Sequence, residues 1–284
     1  MQLHKFDTID KFWDETQAYL LQHEAENNVL LGLIHTLRHN PARYPDPPYL
    51  AMVEIDGDVV ATSIRTPPHK LLLSKVATLD SLTLIARDLC QEQLPGVMGL
   101  VPEVATFLQA WKGLTEQPYR LSIAMKIHQL KTLQPLKAAN GYLRLMTEAD
   151  HRALLLKWLP AFDTEIGFEI VEDVDRIVTN RLKKQDTYLW EDNHVPVSLA
   201  AGRKFTDTAS RIGSVYTPPT YRRKGYATAC VAALSQKLLD EGCERCFLLT
   251  DVANPTSNHI YQQIGYVPIC DWHEYAFISE DLAR

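Results

Sequence analysis

A chain of 284 residues, 46% hydrophobic and 23% charged, is long enough for one large globular domain or two ordinary ones. Its formal net charge of −6 argues against nucleic acid as the main partner, because neutralising phosphates takes a basic surface. With no apolar run long enough to span a bilayer, no basic-then-apolar leader and five scattered cysteines, the chain is expected to be cytoplasmic, with reduced thiols and no membrane partner.

Helices are predicted over about 10–24 and 26–38. Tyr49–Ile55 and Asp58–Thr66 read as a hairpin about Asp56-Gly57, a strong turn pair. A strand at Leu71–Val76, a helix at Asp80–Gln93, a strand at Val97–Val101, a helix at Val104–Leu114 and a strand at Ser122–Gln129 follow. Periodicity then lapses, and Pro135 and Asn140-Gly141 are turn signals, so 131–141 reads as a linker.

The second half opens with a helix at Glu148–Leu159, where Leu154, Leu155 and Trp158 recur at helical spacing. A polar, acidic loop through Asp163, Glu165 and Glu169 leads to a helix at about Val171–Lys183. Strands at Thr187–Glu191 and Val195–Lys204 flank a tight turn at Asp192-Asn193-His194. A strand at 208–217 precedes a helix at 225–241, which carries Ala227, Val231, Leu234 and Leu238 on one face. The apolar run Cys246–Thr250 suits a strand covered on both faces. A helix at 256–264 and a final strand near 271–278 close the half. The two halves share an order of elements, which implies a tandem repeat of one α/β unit, at 1–130 and 142–284, each a mixed sheet flanked by helices. Cys243 and Cys246 have CxxC spacing, but no second pair completes a metal site, and no metal is expected.

The chemistry concentrates at Tyr221-Arg222-Arg223-Lys224-Gly225-Tyr226-Ala227, between the strand 208–217 and its helix. A helix N-terminus offers free N–H groups and partial positive charge. Gly225 lets backbone approach an anion, and Arg222, Arg223 and Lys224 add full charges, so a diphosphate-bearing ligand is the natural guest. A Rossmann turn would need three glycines and a Walker loop a lysine after its second glycine; this turn has neither. The corresponding turn of the first half, Val76-Ala77-Thr78-Leu79-Asp80-Ser81, has no glycine and no arginine, and Asp80 would repel phosphate.

Arg222-x-x-Gly225-x-Ala227 resembles the pyrophosphate-binding signature of the GNAT acetyltransferase superfamily. About 30 residues on, Asn254-Pro255-Thr256-Ser257-Asn258-His259-Ile260-Tyr261-Gln262-Gln263-Ile264-Gly265-Tyr266 resembles that superfamily's second motif, with its Asn, small residue, Tyr and Gly-aromatic pair. The detailed likeness spans 210–270 and the broader one 140–284. It implies a tandem GNAT-like protein with a degenerate first copy that lacks the signature, and acetyl transfer from acetyl-CoA to a primary amine of a small molecule or peptide.

The same resemblance assigns the site. The strand 210–217 would line the pantetheine arm through Val215, Tyr216 and Thr217, with main-chain bonds from Val215 and Thr217. The Val215 amide would also polarise the thioester carbonyl. Arg223, Lys224, Gly225, Tyr226, Ala227 and Thr228 would surround the diphosphate through their N–H groups, with Arg222 adding charge or fixing the turn. Tyr261 would be the general acid for the leaving thiolate, against a reading as an amphipathic core residue. Asn254 would bond the pantetheine arm or cap the helix that Pro255 begins. Glu165, Phe168 and Glu169 lie where the family's acceptor-binding segment falls and would hold an ammonium group against an apolar wall. No general base is singled out: Glu191, Asp207 and His194 are near the right strands but read as surface residues. A CoA-binding protein without turnover and an acyltransferase using another acyl-CoA remain as alternatives, and a monomer is favoured over a homodimer.

Overall fold

In the computed structural model of the chain the described residues are 1–137, 139–167 and 173–278. In chain order the elements are β1 (Gln2–Lys5), α1 (Ile9–Gln22), α2 (Asn28–His39), β2 (Tyr49–Ile55), β3 (Asp58–Arg65), β4 (Leu71–Leu73), α3 (Ser81–Leu89), β5 (Gly96–Leu100), α4 (Val101–Thr115) and β6 (Tyr119–Leu130). They continue with β7 (Tyr142–Leu145), α5 (Glu148–Glu165), α6 (Val174–Lys184), β8 (Thr187–Asp192), β9 (Val195–Lys204), β10 (Ala209–Tyr216), α7 (Tyr226–Asp240), β11 (Arg245–Asp251), α8 (Pro255–Ile264) and β12 (Val267–Phe277). The chain divides into two compact units. One comprises Met1–His128, Leu249–Asn254 and the segment from Pro268 on; the other comprises Gln129–Leu248 and Pro255–Val267.

In the first unit the strands run β1-β2-β3-β4-β5-β12-β6. The β2–β3 hairpin turns at Asp56-Gly57 with φ of 53° and 93°, the double left-handed turn that this pair favours. β4 and β5 are parallel, and α3 and α4 cover the sheet through Leu82, Ile85, Leu89, Val104, Phe107 and Trp111. The final strand was expected to close the second half. Instead β12 lies antiparallel to β5, from Trp272 opposite Leu100 to Ala276 opposite Gly96. Its Phe277 stacks on Trp111 at 5.1 Å, and Trp111 on Phe107 at 5.7 Å. Such ring pairs add about 1 kcal/mol each beyond area burial, so this core is closed by the far end of the chain.

In the second unit the order is β11-β10-β9-β8-β7. α7 and α8 bury Tyr226, Cys230, Val231, Leu234, Leu238, Tyr261 and Ile264 on one cluster. A separate cluster joins α5 and α6 to β8, β9 and β10 through Leu155, Trp158, Leu159, Val178, Leu182 and Tyr216. The first helix of this unit was read as ending at Leu159, with Asp163 and Glu165 in a loop. α5 runs through Pro160 to Glu165, so both carboxylates are helical. A proline inside a helix costs about 3 kcal/mol. Here the apolar stripe of Leu155, Trp158 and Leu159 continues past it to Phe162, which packs on the same cluster, and burial offsets the break. β1 and β7 were not predicted; each has four residues, too few for a period, and forms by pairing with β2 and β8.

Candidate functional site

β10 pairs in parallel with β11 only over Ala209–Arg211, opposite Arg245–Phe247, among the described residues. On its other side it follows β9 until Gly213 opposite Ala201, then resumes at Tyr216 opposite Leu199. Three steps on β10 thus answer two on β9, which is a bulge. Ser214, with φ of 50°, is its left-handed residue, and Ser214 and Val215 drop out of register on both sides. Beyond the bulge, Ser198 of β9 ties the strand end: its hydroxyl donates to the Tyr216 carbonyl at 3.2 Å and bonds the Thr217 hydroxyl at 2.8 Å.

The turn that follows contains two left-handed residues, Arg223 at 62° and Gly225 at 81°. Such a pair in a turn points successive amides into one concavity. The first bond of α7 is from the Ala229 N–H to the Gly225 carbonyl at 3.0 Å. Among the described residues no acceptor meets the N–H groups of Arg223, Lys224, Gly225, Tyr226, Ala227 or Thr228. They converge at the positive end of a 15-residue helix, with the side chains of Arg222, Arg223 and Lys224 exposed around them. Gly225 is needed for its backbone: a Cβ there would meet nothing nearer than Ala139 at 3.8 Å.

The first unit's turn differs in kind. The Ser81, Leu82 and Thr83 N–H groups bond the Thr78, Leu79 and Asp80 carbonyls at 3.3, 3.1 and 3.2 Å. These three amides are consumed by the turn itself. At the end of β4, the buried Glu103 carboxylate accepts from Lys75 Nζ at 3.0 Å and from the Val76 N–H at 3.4 Å.

Of the predicted residues, Val215, Tyr216, Thr217 and 222–228 form two runs in the second unit, separated by 218–221. Arg222 is exposed but engaged: its Nε donates to the Thr217 carbonyl at 2.9 Å and its Nη2 to Glu165. Glu165, read as an acceptor ligand, therefore ends α5 as the partner of the first signature arginine. Phe168 and Glu169 lie outside the described residues. Tyr226 is buried and donates to the Asp192 carboxylate, a bond that pushes its phenol pKa up.

Tyr261 on α8 is 8% exposed, edge-on to Tyr266 at 6.0 Å and beside Cys230 of α7. Burial pushes its phenol pKa well up, and that of the Cys230 thiol to about 12. Tyr261 therefore keeps its proton at neutral pH. The Gly-aromatic pair caps α8: Gly265, at φ 111°, and Tyr266 both donate to the Tyr261 carbonyl, at 3.2 and 2.9 Å. Asn254 falls in the first unit, where its N–H closes a turn on the Asp251 carbonyl at 3.1 Å.

The candidate bases are not brought to the bulge. Glu191, read as a surface residue, is 2% exposed. It accepts from the Tyr142 hydroxyl at 2.7 Å and Arg144 Nη1 at 3.2 Å, with His151 Nε2 at 3.8 Å. It belongs to β8, separated from β10 by β9. His194 sits in the exposed hairpin turn with Nδ1 3.2 Å from the Tyr142 hydroxyl. Asp207 is exposed before β10 begins, at the opposite end of that strand from Tyr216. One residue that was not predicted, Arg181, reaches the bulge, and Asp163 of the acidic segment lies close to that arginine. Arg181 of α6 donates to Ser214 Oγ at 2.7 Å, and Asp163 of α5 lies in its field. Burial raises the Asp163 carboxyl pKa and Arg181 opposes that rise. Arg181 has no local sequence signal, since its contact with Ser214 is non-local. Cys243 and Cys246 are buried, unbridged thiols, and among the described residues no group of three or more His, Cys, Asp or Glu could hold a metal ion. No described helix is long and apolar enough to cross a membrane.

Residues 152–266 match the sequence profile of the acetyltransferase (GNAT) family. No curated protein is significantly similar to the chain. Among solved structures, a Drosophila protein is similar over 97% of this chain and 98% of its own, with a TM-score of 0.69 at 12% identity. An acetyltransferase of the GNAT family from Colwellia psychrerythraea is similar over 98% and 99%, with a TM-score of 0.58 at 10% identity. A tandem GNAT protein from the clavulanic acid biosynthesis pathway is similar over 97% and 98%, with a TM-score of 0.57 at 11% identity. The fold is thus the mixed α/β GNAT fold over the length of the chain, and residues 152–266 are a domain of the acetyltransferase (GNAT) family.

Proposed function

We propose that the second unit is an acetyl-CoA-dependent N-acetyltransferase acting on a primary amine of a small molecule or peptide. The observation that carries this reading is the run of six free amides from Arg223 to Thr228 at the head of α7, which suits a diphosphate; in the first unit's turn the amides of Ser81, Leu82 and Thr83 are bonded instead. The strand edge of β10 beyond Arg211 suits an amide-bearing arm, which adds to it as a further strand.

In this reading the amine attacks the thioester carbonyl carbon directly. The Val215 N–H stabilises the oxygen that gains charge. The C–S bond breaks, the acetyl group stays on nitrogen, and the departing thiolate takes the Tyr261 proton. Tyr261 is then reprotonated from solvent, and the ammonium proton released by the amine leaves to water or an unassigned base. The first copy is degenerate and contributes packing.

Titration of the purified chain with acetyl-CoA by calorimetry tests the cofactor, with Arg223→Glu/Gly225→Asp as control. One site per chain, abolished in the control, is expected; no binding rejects the reading. The depth of Tyr261 in the α7–α8 cluster favours a second reading, a CoA-binding protein without turnover. Tyr261→Phe separates the two: binding persists in both, and free-thiol release with an amine panel is lost only from an enzyme.

A further inference from the structure

The bulge in β10 is held from outside the strand. Ser214 is a non-glycine residue at φ 50°, a conformation that costs on the order of 1 kcal/mol and persists only where the surroundings enforce it. Neither β9 nor β11 pairs with Ser214 or Val215 in register. What reaches Ser214 is Arg181 from α6, whose Nη2 donates to its hydroxyl at 2.7 Å. α6 is fixed in turn by Val178 and Leu182, buried in the same cluster as Tyr216 at the end of β10. A rigid helix, a charge-assisted hydrogen bond and a strained serine thus form one chain of contacts that ends on the residue before Val215.

We propose that Arg181 is a positioning residue for the acyl group: by pinning the Ser214 hydroxyl from α6 it maintains the bulge that aims the Val215 amide at the thioester carbonyl. The inference rests on the acetyl-CoA reading above. It goes beyond it, because it assigns a second-helix arginine outside both motifs to the acyl end of the site rather than to the phosphates.

The test compares acetyl-CoA with free CoA, which differ only in the acetyl group that replaces the thiol hydrogen. In the wild-type chain one amide–carbonyl hydrogen bond makes acetyl-CoA the tighter ligand by about five-fold. Arg181→Gln brings the ratio of the two dissociation constants toward one and leaves CoA itself unchanged. Ser214→Ala does the same, since it removes the acceptor but keeps the Cβ strain, and it serves if Arg181→Gln fails to fold. Ser214→Gly keeps the preference, because glycine holds the bulge without help. The double variant Arg181→Gln/Ser214→Gly regains it. A purely structural role for Arg181 would weaken both ligands alike. That outcome, an unchanged ratio in Arg181→Gln, or a double variant that regains nothing overturns the proposal. Equal binding of both ligands by the wild type also overturns it while leaving the cofactor reading intact. Binding of neither overturns the cofactor reading itself.

Discussion

Arg222 and Glu165 are joined, the first signature arginine to the last residue of α5, while the same guanidinium holds the Thr217 carbonyl at 2.9 Å. The arginine therefore fixes the course of the chain into the turn at 223–228, and in the proposed function the amides beyond it are left to meet the anion. Both side chains are about half exposed, so the pair contributes at most about 1 kcal/mol to stability. Glu165→Gln is expected to leave the urea midpoint nearly unchanged and to tighten acetyl-CoA several-fold, by releasing Arg222 toward the diphosphate. Weaker binding would instead show that Glu165 holds the arginine where the ligand needs it.

Gly225 and Gly265 are both left-handed, at φ 81° and 111°, but they sit in different surroundings. A methyl group at Gly225 has open space; at Gly265 it would lie 3.0 Å from the Thr132 carbonyl oxygen and 3.3 Å from the Gln134 nitrogen. Gly225→Ala therefore costs only the conformational term, about 1 kcal/mol. Gly265→Ala adds backbone displacement where Gln134 donates to the Ile264 carbonyl at 2.9 Å, and is expected to cost at least ~2 kcal/mol. Chemical denaturation of the two variants measures the difference; equal losses would reject the steric account.

These two glycines also mark what could be read from sequence. The turn at 222–228 is contiguous, so Arg222, Gly225 and Ala227 can be picked out together in the sequence, as Asp56-Gly57 can for its hairpin. Glu191 was misread because its burial depends on Tyr142 and Arg144, 49 and 47 residues away, which a local rule about charged residues cannot see. The Arg181–Ser214 bond spans 33 residues and joins two residue types that are ordinary on any surface. The partner of β12 was hidden for a related reason: alternation marks a strand and its faces, and says nothing of which sheet receives it.

That last strand makes the first half dependent on the end of the chain. Without residues from Pro268 on, β5 loses its antiparallel partner, and Trp111 loses the stacked Phe277. Trp272, 1% exposed, disappears from the sheet with them. A chain of 1–130 alone is expected to be molten or aggregated, with weak near-ultraviolet circular dichroism, since a bare edge and an open aromatic core remain. Adding a peptide of residues 266–284 should restore the signal. A cooperative melt of 1–130 on its own would overturn this.

Two buried thiols in the cluster that holds the candidate acid give the fold an alkaline limit. Burial raises Cys230 from the ordinary 9.0 to about 12, and Cys246 to about 11. For a thiol raised in the folded state, the unfolded chain loses its proton first, so the folded state binds more protons over that interval. Stability is then fully present below pH 9 and falls as pH rises toward the folded values. Cys230→Ala removes one titrating group from the interval between 9 and about 12, so the slope of unfolding free energy against pH flattens by one proton there, about 1.4 kcal/mol per pH unit. The slope is the readout because the methyl-for-thiol change also shifts the absolute value. An unchanged slope would mean that Cys230 ionises in the folded state as readily as in water, and that the α7–α8 cluster around Tyr261 is open to solvent.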